Sequence, residues 1–426
     1  MTSGQVRYAI VGGALTALAL LLACSTSDSA TPAAADEDSG PDGTTNIVVP
    51  DAEAGQADAG PGDAGLDAAD AAPRTCSDED FCRTALPAGQ VLRGVWGDGN
   101  GTVWTVSEAG SILRWDGAAW NVHASTPADQ YFAIWGASAT DLWVGGSNGL
   151  LHGTGATPST ITFAPVAIPG DPTTPITAIW GASAIDVWAV GGVITQKAPF
   201  ISRGRSVHLV DGAWTVDGPP ATNVAYMQVW GTPSSGVWIG GSSMTTTGFP
   251  GVGLFQRNVG ATSFASIALP RAPVGAALAN PSRVDVGIAT ADTTVVVIGA
   301  VRTAGSVRKT GPVVWRGAGT PADAGADGGA GSTFTWTIDP KPALPDSIPV
   351  VDFQQTAAWS TGPSDLWSAG VFGRLRHWNG TSWTEAALTV SSLPETATLY
   401  GIWGKSSNDF WVVGDNVAIH KHTTAP

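Results

Sequence analysis

The chain has 426 residues, with 55 Gly, 29 Pro and 19 Trp and only 13% charged residues, a balance that points away from helical domains and toward an all-β chain rich in turns. Its formal net charge of -15 argues against a nucleic-acid partner, because such binding draws on Lys and Arg to release counterions. No basic stripe offsets that charge.

At the start, Arg7 precedes an apolar run from Ala9 to Ala23 that is too short to span a bilayer comfortably and reads as an export signal over residues 1–23. The run ends in Leu21-Leu22-Ala23-Cys24, which resembles the bacterial lipobox. That resemblance implies acylation of Cys24 and, with Ser25 rather than Asp after it, an outer-membrane lipoprotein facing either the periplasm or the exterior. Two or three acyl chains are what stable anchoring takes. An ordinary cleaved signal is the alternative.

Residues 24–75 are Ala, Asp, Gly, Ser and Pro with hardly any large apolar side chain, so they read as a disordered tether. From Asp28 to Asp70 the tether holds eleven acids, against the single base Arg74. A flexible chain of that length spans about 40 Å, and self-repulsion extends it further. Next come Cys76 and Cys82, where an exported chain predicts a disulfide; two unpaired thiols are the competing reading.

The rest is organised by a repeat. Six segments read LRGVWGDGNGTVW (from Leu92), FAIWGASATDLW (from Phe132), TAIWGASAIDVW (from Thr177), MQVWGTPSSGVW (from Met227), TAAWSTGPSDLW (from Thr356) and YGIWGKSSNDFW (from Tyr400). In each, two Trp stand eight apart, as in Trp96 and Trp104 or Trp403 and Trp411. Turn signals such as Asp116-Gly117, Asp211-Gly212 and Asn379-Gly380 divide every unit into four short strands, the make-up of one propeller blade. Aligning Gly299 with Gly145 predicts a worn fifth blade between Trp230 and Trp359, with Ala289 and Val297 in the two Trp positions and Trp315 and Trp336 on its later strands. The seventh blade has only three strands before the end. Counting back 15 from Trp96 lands on Phe81, so the segment around Phe81 is expected to supply the missing strand. The expectation is a seven-bladed β-propeller of four-stranded antiparallel blades over residues 76–426, closed by its N-terminal segment.

The repeat resembles that of the Trp-rich lipoproteins of myxobacterial type, whose blades read I-W-G-x-S-x-x-D-V-W-A-V-G; TAIWGASAIDVWAVG from Thr177 matches it closely. The resemblance spans about Val91 to His422 and implies a fold rather than an activity. Likeness to sialidase-type and Kelch-type propellers is more remote.

Residues that recur at the blade period read as architecture, since one active site cannot need six copies. Asp141, Asp186, Asp365 and Asp409 precede second strands, where a carboxylate can accept backbone N–H bonds. His420 and His422 share a strand face with no third ligand visible, so no metal ligand and no cofactor is assigned. The Asp-box of sialidases and H-E-x-x-H are both missing from the sequence. What breaks the repeat is a set of insertions between second and third strands: Val193 to Ser206, Ser242 to Gly253 and Ala300 to Gly311. Lys197, Arg203 and Arg205 in one, and Arg302, Arg308 and Lys309 in another, make these the candidate ligand-binding residues. The expected function is a monomeric, non-catalytic binding or scaffolding propeller, held at the membrane by its lipid, that contacts an anionic polysaccharide or an envelope protein. A carbohydrate-active hydrolase or lyase using the same loops is the alternative.

Overall fold

A computed structural model describes residues 75–423, apart from 196–198, 221–222, 245–249, 275–276, 291–293, 303–308, 321–332, 340–353 and 391–392. The signal, Cys24 and the tether lie outside the described residues. Among those described, no helix is long and apolar enough to cross a membrane.

Among the described residues seven antiparallel sheets form the blades, and a two-stranded ladder, Thr389–Val390 with Leu393–Pro394, lies between blades six and seven in the chain. Blade one runs through Leu92–Gly97, Val103–Ser107, Ser111–Trp115 and Trp120–Ser125. Blade two follows with Tyr131–Ser138, Asp141–Gly146, Gly149–Thr154 and Thr162–Val166. Blade three is Ala178–Ser183, Asp186–Ile194, Ser202–Val210 and Ala213–Val216. Blade four is Val224–Thr232, Gly236–Met244, Pro250–Arg257 and Ala265–Ser266. Blade five is Ala277–Ala289, Thr294–Arg302, Lys309–Thr320 and Thr333–Ile338, with a short extra strand, Ala272–Val274, paired to its start. Blade six is Gln355–Gly362, Asp365–Gly370, Leu375–Trp378 and Trp383–Glu385. Blade seven takes Leu399–Ser406, Asp409–Gly414 and Val417–His422 from the end of the chain and Phe81–Arg83 from its start. First strands touch their neighbours all the way round, blade seven meeting blade one, so the ring is closed.

The eight-residue Trp spacing has a direct cause. In all six Trp-bearing blades the two indoles face each other across the first hairpin, as Trp180 faces Trp188 and Trp403 faces Trp411. Five of the six first-strand indoles then lie over the Gly that follows the equivalent Trp of the next blade: Trp96 over Gly136, Trp135 over Gly181, Trp180 over Gly231, Trp359 over Gly404 and Trp403 over Gly97; Trp230, which faces the blade without a Trp, lies over Gly287. A Cβ on Gly136 would stand 2.7 Å from the Trp96 ring, so Trp-Gly is needed as a pair. Blade six breaks the rule with Trp359-Ser360, and it follows the one blade that has no first-strand Trp.

Second-strand indoles are met by the fourth-strand aromatic of the following blade. Phe163 packs on Trp104, Trp214 on Trp143, Phe264 on Trp188, Phe334 on Trp238, Phe81 on Trp367 and Trp120 on Trp411, with ring centroids 5.0 to 6.2 Å apart. Each such pair adds about 0.5–1.5 kcal/mol beyond the area it buries. Seven buried apolar clusters result, one at each junction.

The fifth blade is present, but its register differs by one from the expected alignment. Gly146, Gly191, Gly241, Gly370 and Gly414 each stand three residues after a second-strand Trp, and each lies against a carbonyl at the start of its own first strand, where a Cβ would not fit. Gly299 does the same against Arg283. The equivalents of the two Trp are therefore Ile288 and Val296, which face each other across the hairpin, and not Ala289 and Val297. The expected alignment matched Gly299 to Gly145, the wrong member of the Gly145-Gly146 pair.

Candidate functional site

In a four-stranded meander the second-to-third connections and the links between blades open on one face of the ring, and the other two turns on the opposite face. The three insertions lie on the first of these faces, here termed the hairpin face. Their described residues continue the strands, giving nine-residue second strands in blades three, four and five against five or six in the other blades. The extended hairpins touch. The Met244 backbone N–H of blade four donates to Ser202 Oγ of blade three at 2.8 Å. Val252 of blade four and Val301 of blade five pack in one apolar cluster.

The predicted cations divide. Arg203 is half exposed; its guanidinium lies 3.5 Å from Asp171 and donates to Thr173 Oγ1 at 3.4 Å. Asp171 comes from the link between blades two and three, so the face holds an acid that the insertions themselves lack. The Thr173 hydroxyl and backbone N–H, then Arg203, hold that carboxyl below its usual range. Arg205 is only 6% exposed and donates to the carbonyls of Pro169 at 2.9 Å, Ile168 at 2.8 Å and Thr174 at 3.4 Å. It fastens the blade two–three link to the hairpin and is spent on that contact, which removes it from the set facing solvent. Arg302, partly exposed, ends the second strand of blade five, paired in the ladder with Lys309. Lys197 and Arg308 lie outside the described residues.

Apolar side chains share this face. Ile201 of the blade three hairpin is 43% exposed, Leu278 at the start of blade five 61%, Phe372 on the second-to-third turn of blade six 53%, and Leu393 on the link between blades six and seven 71%.

On the opposite face the recurring Asp have a different partner from the one expected. His152 Nε2 lies 2.8 Å from Asp141, His208 2.9 Å from Asp186, His377 2.8 Å from Asp365 and His420 2.9 Å from Asp409. Each imidazole stacks on the second-strand Trp beside it, with centroids 3.9 to 4.2 Å apart. The carboxylate can only accept, so it fixes the ring tautomer while the indole fixes the ring plane. Burial works to raise the Asp365 carboxyl, but the Ser407 and Thr361 hydroxyls and His377 together hold it below its usual range. Burial likewise keeps His420 below the ordinary imidazole value despite Asp409.

Cys76 and Cys82 are joined by a disulfide, and Cys82 stands opposite His420 in the closing strand.

No protein-family model matches the chain, and no curated protein matches it. Solved structures do. YCF48 bound to D1 peptide is 13% identical with a TM-score of 0.52, covering 83% of this chain and 100% of that one. YCF48 from Cyanidioschyzon merolae is 12% identical with a TM-score of 0.53, covering 80% and 99%. The extracellular domain of a hybrid two-component system from B. thetaiotaomicron is 14% identical with a TM-score of 0.53; the match covers 81% of this chain but only 40% of that one. At these identities the likeness establishes the propeller fold and nothing finer.

Proposed function

We propose that this chain is an exported, lipid-anchored propeller that binds, without catalysis, an anionic partner of the cell envelope on its hairpin face. The observation that carries the reading is the set of three long hairpins on adjacent blades, blades three and four tied through Met244 and Ser202 and blades four and five packed through Val252 and Val301, bearing Arg203, Arg302 and Lys309. Lys197 and Arg308 belong to the same insertions. The recurring Trp, Asp and His are absorbed by the junctions and leave this face as the part of the molecule that departs from its own repeat.

Charge sets the sign of the partner, carboxylate or sulfate, and the exposed Ile201, Leu278, Phe372 and Leu393 add apolar contact beside it. Rim charges contribute only about 0–1 kcal/mol each, so binding is weak singly and gains by repetition along a polymer or an acidic protein segment. Anchoring through Cys24 is the second half of the proposal, supported by the Leu-Leu-Ala-Cys ending of the export signal.

Membrane fractionation of the Cys24→Ala variant tests the anchor: release into the soluble fraction is expected, and continued sedimentation with membrane refutes it. Binding of the protein to polygalacturonate and to polyglutamate, with a product assay on the polysaccharide alongside, tests the rest. Salt-sensitive binding with no product supports a non-catalytic module, whereas released oligosaccharide overturns it.

A further inference from the structure

We infer that Asp409, His420 and His422 form a binding site for a zinc-class divalent ion on blade seven, on the face opposite the hairpins. The sequence shows His420 and His422 two apart on one strand but gives no third donor; folding brings it from the neighbouring strand. Asp409 faces His422 in the register and reaches diagonally to His420. Its Oδ1 lies 2.9 Å from His420 Nε2 and 3.9 Å from His422 Nδ1, and one ligand atom from each of the three residues falls within 4.8 Å of the others.

A repeat protein supplies its own controls for this reading. Blades two, three and six carry the same His–Asp pair on the same Trp, so the pair by itself is part of the blade. Two residues after the His, those blades place Thr154, Val210 and Asn379, whereas blade seven places a second imidazole. Among the described residues, these three form the cluster with three potential ligand atoms. The structural role of the pair does not account for His422.

The donors fit the ion. Zinc takes imidazole nitrogen at about 2.0–2.1 Å and carboxylate oxygen at about 2.0–2.2 Å, which sets tetrahedral ligands roughly 3.3 Å apart. The Asp409–His420 separation would open by a few tenths of an ångström and the Asp409–His422 separation close by about as much again. His422 has the freedom to do so, with its side chain 55% exposed at the end of the last strand. His420 is the fixed member, its ring 6° from parallel with Trp411 and 4.1 Å above it. On binding, the neutral His420 ring carries its proton on Nδ1 instead of Nε2, which frees Nε2 for the ion, and water completes the coordination. Lys421, the cation between the two His in the strand, alternates to its other side, where its ammonium donates to the Glu79 carbonyl at 2.6 Å and sits over Phe81.

The position gives the site a purpose. It would clasp the second and third strands of the blade in which the two ends of the propeller meet, one strand away from the Cys76–Cys82 bridge. Ion binding would therefore stabilise the closed ring by mass action.

The test uses the full-length protein without an affinity tag, stripped by a chelator. Titration with Zn²⁺ against a chromophoric competitor is expected to give one ion per chain and a raised Tm, and Co²⁺ is expected to give the visible bands of a low-coordinate site. His422→Ala keeps the Asp409–His420 pair, so it should fold with the apo Tm of the parent while losing at least tenfold in affinity. His152→Ala and His377→Ala should bind as the parent does. Unchanged affinity in a folded His422→Ala variant overturns the proposal, as does an equal loss in either control or the absence of saturable binding.

Discussion

Phe81 meets Trp367 edge-on, ring centroids 6.2 Å apart and planes inclined by 70°, and so makes between the first strand of the propeller and its sixth blade the contact that other junctions make between consecutive blades. Phe81 also lies 5.9 Å from Phe410 and is wholly buried. Phe81→Ala is expected to cost about 3–5 kcal/mol, as loss of a core Phe does, and to weaken the whole ring rather than one blade. Denaturant unfolding followed by Trp fluorescence checks this. Deleting residues 76–87 should destabilise further, and removing the tether alone should leave the midpoint unchanged.

Blade five has no hairpin Trp, and at its junction with blade six polar groups add to the apolar cluster around Ile288, Val296 and Leu366. Arg316 pairs with Asp339 through Nε at 3.1 Å and Nη2 at 2.7 Å, Trp383 Nε1 donates to the same carboxylate at 3.0 Å, and the guanidinium lies 4.5 Å from the Trp378 centroid. Asp339→Ala strands a mostly buried guanidinium and an indole N–H, so a loss of about 3–5 kcal/mol is expected in thermal or denaturant melts.

The Trp-on-Gly contact predicts an asymmetry between two small substitutions. A Cβ at Gly181 would lie 2.6 Å from the Trp135 ring, and overpacking of this kind costs about 1–3 kcal/mol. Ser360→Ala, at the equivalent place in blade six, should change the midpoint little. Parallel denaturant melts of Gly181→Ala and Ser360→Ala decide the matter; equal losses would mean that the indole does not impose the glycine.

Much of this architecture is readable in the sequence because Trp spacing reports hairpin register directly: two indoles eight apart are two indoles face to face. Phe81 was legible for the same reason, being one more fourth-strand aromatic at the repeat offset. The blade five register was not, since Gly145-Gly146 offers two alignments and only the carbonyl behind Gly146 tells them apart. The His–Asp pairs escaped notice because the hairpin between them varies: Asp186 and His208 are separated by the blade three extension, whereas Asp141 and His152 are not. Arg205 read as a surface cation because a sequence does not reveal whether an insertion leaves the blade as a loop or lengthens its strands over a neighbouring link.

Acidity should loosen the seam where the chain ends meet. Glu395 accepts from the Thr396 and Ala397 backbone N–H groups, both at 2.9 Å, and pairs with Arg83 of the closing strand through Nε at 3.1 Å. Burial works to raise its carboxyl, yet those N–H groups and Arg83 hold it below the usual value. A carboxyl depressed in the folded state contributes stability that is complete above its unfolded pKa of about 4.3 and is lost as pH falls through the folded value. The parent should therefore melt above Glu395→Gln at pH 7, with the gap narrowing as pH drops below about 4.

The most direct measurement of the central claim is the affinity for polygalacturonate as a function of salt, for the parent and for a variant with Lys197, Arg203, Arg302, Arg308 and Lys309 all changed to Ser. Arg205 stays, because its guanidinium holds the Pro169 and Ile168 carbonyls, and Arg205→Ser serves as the structural comparison with a lowered Tm. Binding by the parent should weaken steeply as ionic strength passes ~0.15 M, where the screening length falls to about 8 Å. The five-site variant should keep the parent Tm and bind weakly at all salt concentrations, with a flat salt dependence. A correctly folded variant that binds with the parent's affinity and salt slope would contradict the account and place the ligand on another face of the ring.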